Sequence, residues 1–350
     1  MPEIDLALAV AGLLIGAVVG LTGMGGGALM TPVLVLFFGI PPLAAVSSDL
    51  VVSLIMKPVG GAVHLRRGTV NKPLVGWLVL GSVPSAFAGV LLLKALGDGE
   101  RVQEVIKVAL GVALLLASAT IVVKAYLQMR SYASARRILL AGGAVPPVAP
   151  MVVRPVPTVL IGVLGGLVVG MTSVGSGSLI IVLLLLLYPT IKSSDVVGTD
   201  LVQAVPLVGA AALGHLLFGE VRLDLTASLL VGALPGVYLG ARVSTRAPQG
   251  LIRRALVLVL VASSLKLLGV GDVQLGVVLA VGIALAPVVW AVLRRRQGLP
   301  RKWRLALRRP DGRRRLFWEA LSVGGPEPDS PQEPLSGGAG SAESRPSTGR

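Results

Sequence analysis

The sequence has no cysteine, only two histidines and little charge. The missing cysteines exclude disulfides, thiolate nucleophiles and cysteine-ligated metals. Two histidines are too few for a conventional metal cage, so no metal is assigned. Only 14% of the residues are charged, about half the share of an ordinary soluble domain. No Gly-x4-Gly-Lys-Ser/Thr loop is present, which excludes a built-in ATPase. A nucleophile elbow, a His-Glu-x-x-His pair and a plausible catalytic triad are also missing. The chain is therefore not read as an enzyme, and neither catalytic residues nor a cofactor are assigned. The opening Met1-Pro-Glu-Ile-Asp lacks the basic region of a signal peptide, so the first apolar segment is expected to remain in the protein.

What fills the sequence is apolar. Hydrophobic residues make up 54% of it, and mean hydropathy is +0.84. Several apolar runs approach 20 residues, the length that crosses a bilayer core. This composition predicts an all-α, polytopic protein of about seven to nine spanning segments, with lipid as its first partner. The net charge of +15 does not point to nucleic acid, because Arg and Lys gather at the ends of the apolar runs. That placement follows the positive-inside rule.

One stretch breaks the pattern. Gly20 to Met30 carries glycine at 23, 25, 26 and 27 inside an apolar run from about Ile4 to Phe38. Each glycine costs a helix about 1 kcal/mol relative to alanine. Non-helical backbone survives at membrane depth only where protein or a water-filled cavity satisfies it. The stretch recurs at Gly170 to Ile180. Thr22, Gly25, Gly27 and Leu29 match Thr172, Gly175, Gly177 and Leu179 at one spacing. One residue out of phase, Asp49, His64, Gly68, Gly81, Pro84 and Gly89 match Asp200, His215, Gly219, Gly232, Pro235 and Gly240. Two copies of one unit, each with a broken apolar segment, are a pointer to a transporter binding site.

The chain divides into a first repeat at 1–123, a basic linker at 124–154, a second repeat at 155–293, and a tail at 294–350. The tail is basic at first, then rich in Pro, Gly and Ser and expected to be disordered. Helices are expected at about 43–65, 74–96 and 105–123, then at 193–218, 225–243, 251–268 and 273–293. Loop charge puts 66–72, the linker and the tail in the cytoplasm. Counting crossings then makes the copies antiparallel, with the N-terminus outside, provided each broken segment is a hairpin that returns to its starting side. An unwound single span remains the alternative.

If the chain unwinds at Gly23 to Gly27, a half-helix starts near Ala28 with free N–H groups and a positive dipole end. That is a ready anion site. The substrate-binding candidates are Thr22, Gly23, Gly25, Gly26 and Gly27, with Thr172, Ser173, Gly175, Ser176 and Gly177. Close packing by small residues is the competing explanation. Asp49 and Asp200 are candidates for coupling or gating, or else dipole-stabilised carboxylates near a helix start. His64 and His215 could relay protons or simply sit satisfied at helix ends. Lys57, mid-helix and unmatched in the second copy, needs a partner such as Asp49 or an anion.

The run Gly16-x3-Gly20-x-Thr-Gly-Met-Gly-Gly-Gly, with Pro32, Val46-Ser-Ser-Asp49, Gly61 to His64 and Gly68-x-Val70, resembles the TauE/SafE sulfite-exporter family of membrane permeases. Gly170 to Gly177, Gly198-Thr-Asp200, Gly214-His215 and Gly232 to Gly240 fit that family's second half. The resemblance spans about Leu6 to Leu293. It implies a secondary transporter of the cytoplasmic membrane that moves sulfite, sulfonates or related small anions with protons. A homo-oligomer is compatible with it. The second copy departs by having Ser173, Val174 and Ser176 where the first has Gly23, Met24 and Gly26. A non-transporting scaffold and an anion channel remain the alternative classes.

Overall fold

Apolar runs with no competing hydrogen-bond partner in lipid fold as helices, because only the helix satisfies every backbone group internally. The computed structural model describes residues 4–22, 26–97, 99–140, 151–189, 191, 193–243, 249–297, 306–308 and 314–316. Among these the first repeat forms α1 (Leu6–Thr22), α2 (Gly27–Phe37), α3 (Pro42–Arg66), α4 (Lys72–Ala95) and α5 (Glu100–Leu140). The second forms α6 (Pro155–Thr172), α7 (Leu179–Leu187), α8 (Ser193–Phe218), α9 (Leu223–Val243), α10 (Gln249–Leu267) and α11 (Asp272–Arg296). Seven of these helices are long and apolar enough to cross a membrane. The described residues up to Gln297 thus form an all-helical multi-pass membrane protein, as the composition predicts.

Chain direction follows from contacts between named residues. The Arg154 N–H, just before α6, donates to Tyr188 Oη just after α7 at 2.8 Å. Thr158 Oγ1 lies 2.6 Å from the same phenol. The start of α6 and the end of α7 therefore share one face, and the second broken segment is a hairpin. In the first copy, the Asp5 N–H donates to Ser228 Oγ near the start of α9. The Arg222 N–H, ahead of α9, donates to Ser48 Oγ near the start of α3. The end of α2 joins the start of α3 through residues 38–41, so α1 also begins on the face where α2 ends.

Two helix pairs, α3 with α8 and α5 with α10, pack antiparallel. Along α3 and α8, Ser47 meets His215, Gly61 meets Val202, and His64 meets Gly198. Along α5 and α10, Gly111 meets Ser264, and Gln128 meets Arg253. The outer helices are exchanged between copies. A Cβ on Gly12, Gly16 or Gly20 of α1 would strike Leu229, Ala233 or Val237 of α9. On α6, Gly162, Gly166 and Gly170 fit the same way against Leu78, Ser82 and Ala86 of α4. Both seams are parallel, and they explain the matched glycines at 81 and 232 and at 89 and 240. Small residues let helix backbones approach closely where lipid supplies no hydrophobic drive.

Two apolar cores result. One gathers Met30, Leu34, Leu225, Leu229 and Leu260 around the first hairpin. The other gathers Leu74, Leu78, Ile180, Leu184 and Leu207 around the second. α3 contributes to both, through Val52 and Met56 on one side and Val46 and Leu50 on the other.

Three expectations shift. α5 continues to Leu140, so the helix does not end where its apolar run does at Val123. Residues 124–140 hold three each of Ala, Leu and Arg, good helix formers that extend the spanning helix. Asp49 and Asp200 lie two turns inside α3 and α8 rather than in the first turn, where a dipole would stabilise them. In the separate unit 299–350, Ala306–Arg308 pairs antiparallel with Arg314–Leu316. The stretch 324–350, expected to be disordered, lies outside the described residues, as do Gly23 and Gly25.

Candidate functional site

The two breaks meet. A Cβ added to Gly27, the first residue of α2, would lie 2.1 Å from the Ser173 carbonyl oxygen and 2.8 Å from Ser173 Oγ. Only a bare backbone fits there. On the other side, Ser173 ends α6 in the left-handed region at φ 61°, its N–H donating to the Val169 carbonyl at 2.8 Å. It is the one described non-glycine residue with positive φ. This conformation is costly for a residue with a Cβ, of order 1–3 kcal/mol. Gly175 follows at φ 129°, a region essentially reserved for glycine.

Neither half-helix is capped by a side chain. Gly26 precedes α2 and Ser178 precedes α7, and neither makes a side-chain cap hydrogen bond. The first N–H groups of a helix have no partner within it. At α2 the Leu29 and Met30 N–H groups donate to the Gly26 carbonyl, and at α7 those of Ser178, Leu179 and Ile180 turn back on the Gly175 carbonyl at 3.1–3.4 Å. The positive dipole ends of α2 and α7 lie at one small cavity of about 20 Å³. Gly27, Ala28, Ser173, Gly175, Ser176, Gly177 and Ser178 line it, closed by Ala117 of α5 and Leu260 of α10. Ser173 is 4% exposed, and its Oγ has no hydrogen-bond partner among the described residues. A buried, unpartnered hydroxyl costs roughly 1–3 kcal/mol.

Three buried charges lie outside the lining of this cavity, and one of them, Lys57, reaches it through Ser176. Lys57 comes from the middle of α3, and its Nζ donates to Ser176 Oγ. Asp49 is fully buried and accepts from Thr31 Oγ1 of α2 at 2.6 Å and from Ser53 Oγ at 3.4 Å. Asp200 is 2% exposed and accepts from Gln203 Nε2 at 3.1 Å. The field of Lys57 reaches both carboxylates, yet it forms no ion pair with either among the described residues. A cation held off both acids and pointed at a cavity-lining hydroxyl can still attract another negative group.

The sequence candidates separate accordingly. Gly27, Ser173, Gly175, Ser176 and Gly177 line the central cavity. Gly26 sits beside Ser53 and Asp49, where a Cβ would lie 3.7 Å and 3.9 Å from them. Thr22 lines a neighbouring cavity instead. Thr172 turns inward, donating to the Val168 carbonyl at 2.6 Å and accepting from the Val174 N–H at 3.2 Å. His215 is fully buried and clamps three helices. Its Nε2 is 2.8 Å from the Gly170 carbonyl oxygen, and its Nδ1 is 2.8 Å from Ser47 Oγ. Since a carbonyl only accepts, Nε2 carries a proton. His64 packs on Gly198 and pairs with Thr69 Oγ1 at 2.8 Å. Neither histidine lines a cavity described here.

Sequence reading missed Thr31 and Gln203, the partners of the two carboxylates. It also missed Lys124 and Arg253, which line the neighbouring cavity with Thr22. Neither Thr31 nor Gln203 has a like residue at the matching position of the other copy, so the repeat comparison passed over both. Lys124 stands at the end of an apolar run and was read only as a charge at a helix end.

Comparison with known proteins gives the same direction. No solved structure matches the chain. The probable membrane transporter protein YjnA of Bacillus subtilis (strain 168) is 37% identical over 265 residues, covering 75% of this chain and all of that protein. The probable membrane transporter protein YdhB of the same organism is 24% identical over 256 residues, covering 73% of this chain and 96% of its own length. The family model of the sulfite exporter TauE/SafE matches residues 8–267, which include both breaks, both hairpins and all three buried charges. The chain belongs to the TauE/SafE sulfite exporter family of membrane transporters.

Proposed function

We propose that the protein is a secondary transporter that moves small oxyanions, such as sulfite or a sulfonate, through the cavity between the two hairpins, together with protons. The observation that carries this reading is the convergence of two half-helix N-termini without side-chain caps, the Ser173 hydroxyl and the Lys57 ammonium on one cavity. Broken helices facing their dipole ends at a central site are a common way for transporters to hold anionic groups. The name of the family supports the oxyanion class.

Charge balance supports proton coupling. With both acids ionised, Asp49, Asp200 and Lys57 leave one net negative charge near the cavity. Adding an anion there is unfavourable at low dielectric. Protonating one carboxylate removes that penalty, so anion and proton would bind together. The cavity of about 20 Å³ has room for roughly one water. An oxyanion needs more, so the hairpin arms must part to admit it. The antiparallel pairs α3 with α8 and α5 with α10 favour an inverted repeat, in which one hairpin bundle rocks against the other. The cytoplasmic membrane, with the linker and tail inside and the N-terminus outside, is the placement favoured by the basic loops.

The test is uptake of labelled sulfite by purified protein in liposomes with an imposed pH gradient. Saturable, gradient-dependent uptake is expected. Uptake that does not saturate would replace the carrier with a channel. No uptake of sulfite, sulfonates or thiosulfate would overturn transport in favour of a scaffold.

A further inference from the structure

Beside the central cavity lies a second one of about 70 Å³. Its walls are Thr22 at the end of α1, Thr120, Ile121 and Lys124 of α5, Val197 of α8, and Arg253 and Leu256 of α10. The first turn of α7 closes it, through Gly177, Ser178, Ile181 and Val182. Gly177 and Ser178 also line the central cavity, so the uncapped start of α7 is the partition between the two.

The charges of this second cavity are one-sided. Lys124 ends the apolar part of α5, and Arg253 lies one turn into α10. Their like charges act on each other. Arg253 donates to Gln128 Oε1 at 3.2 Å, a neutral partner. Neither cation forms an ion pair among the described residues. Asp200, which also feels Lys57, acts on Lys124 from outside the cavity. Among the described residues two cations and no carboxylate line the cavity. They also lie on the face shared by the end of α5 and the end of α11, where Arg137 donates to Gln297 Oε1 at 3.2 Å.

We infer that this cavity is a basic vestibule, a second anion subsite that receives the oxyanion from the face carrying the linker and passes it across the start of α7 to the central site. The inference rests on the transport reading for its substrate. Lys124 and Arg253 concentrate anions at the mouth by focusing the field in a low-dielectric cleft. They do not contact the anion once it lies between the hairpins. Substituting them therefore weakens capture more than translocation.

The absence of cysteine makes a direct test available. Thr120→Cys in the full chain places one thiol in the vestibule wall, away from the central cavity. The thiolate attacks a methanethiosulfonate reagent, forming a mixed disulfide and releasing methanesulfinate. The probes are one reagent bearing a sulfonate and one bearing a trimethylammonium group. The sulfonate reagent is expected to react roughly tenfold faster relative to its rate with free thiol, and from the linker face of sealed vesicles, as unscreened charges a few ångströms away require. Adding Lys124→Gln and Arg253→Gln should abolish that preference, and Lys124→Arg should keep it. In flux assays, Lys124→Gln should raise KM about fivefold with little change in kcat. Equal reagent preference with and without the two cations, or reaction only from the opposite face, overturns the vestibule. Because the two reagents are compared on the same variant, a folding defect does not mimic either result. If the unmodified protein moves no anion while the reagent preference holds, the transport reading fails and the basic subsite stands.

Discussion

Gly27→Ala adds one methyl group where the two hairpins touch. The new Cβ would sit 2.1 Å from the Ser173 carbonyl oxygen and 2.9 Å from its carbonyl carbon. Both neighbours are backbone, so no rotamer change relieves the clash. Ordinary contact lies near 3.4 Å, so the breaks must separate by about 1 Å. Overpacking of this kind costs about 1–3 kcal/mol. Gly26→Ala, one residue away, is the control. Its Cβ would lie 3.7 Å from Ser53 Oγ and 3.9 Å from Asp49 Oδ1, both ordinary distances, at a helical φ of −58°. As the residue preceding α2 it gains no interior helix propensity, and its αR backbone takes an alanine without strain, so the change is small. Thermal unfolding in detergent and uptake into liposomes should be measured for both variants. Gly27→Ala is expected to lower the melting temperature by several degrees and to cut uptake at least tenfold, since about 1.4 kcal/mol corresponds to a factor of ten. Gly26→Ala should stay near the parent in stability. If the two variants behave alike, the breaks do not meet as described and the shared cavity is wrong.

Other expectations follow from the same geometry. Ser173→Gly removes a left-handed strain and a buried unpartnered hydroxyl together, so it should raise stability by about 1 kcal/mol or more while weakening anion capture; a variant neither more stable nor weaker in KM counts against a binding role for this hydroxyl. Asp49→Asn and Asp200→Asn should each leave the protein folded but remove the dependence of uptake on the pH gradient, measured as uptake at equal and unequal pH; full gradient dependence in both would exclude these acids from coupling. His215→Ala strands the Gly170 carbonyl and should cost about 1–3 kcal/mol in thermal unfolding, without changing anion KM in the fraction that folds. Gly232→Leu should prevent folding, because even a Cβ there would lie 1.8 Å from the Ala9 carbonyl oxygen, whereas Gly76→Leu meets nothing within 4 Å and should be neutral in expression and melting temperature.

The helices were legible because hydropathy and punctuation are local. The helices expected from about 43, 74 and 193 begin in the structure at Pro42, Lys72 and Ser193. The second half-helix, placed near Ala28, starts at Gly27. The pairing of Asp49 with Asp200 was legible because duplication preserves order along the chain. Their partners were not. Thr31 reaches Asp49 only because α2 folds back along α3, and Gln203 serves Asp200 from the same helix with no counterpart in the first copy. His64 and His215 looked equivalent in sequence. Only packing distinguishes a half-buried side chain bonded to Thr69 from a buried clamp between Ser47 and Gly170.

By itself, the sequence determined that this is a helical membrane protein of two related halves, each with a break that lipid cannot tolerate. Composition, periodicity and repetition express those properties without any knowledge of contacts. The tertiary structure decided that α1 with α2, and α6 with α7, each return to the face they started from, that the two pairs meet at Gly27 and Ser173, and that Lys57 reaches Ser176 of the other half. It also decided that Lys124 and Arg253 share a cavity. Residues far apart in the chain approach only because glycine faces bring α1 against α9 and α4 against α6. No local signal records which helix a small-residue face will find.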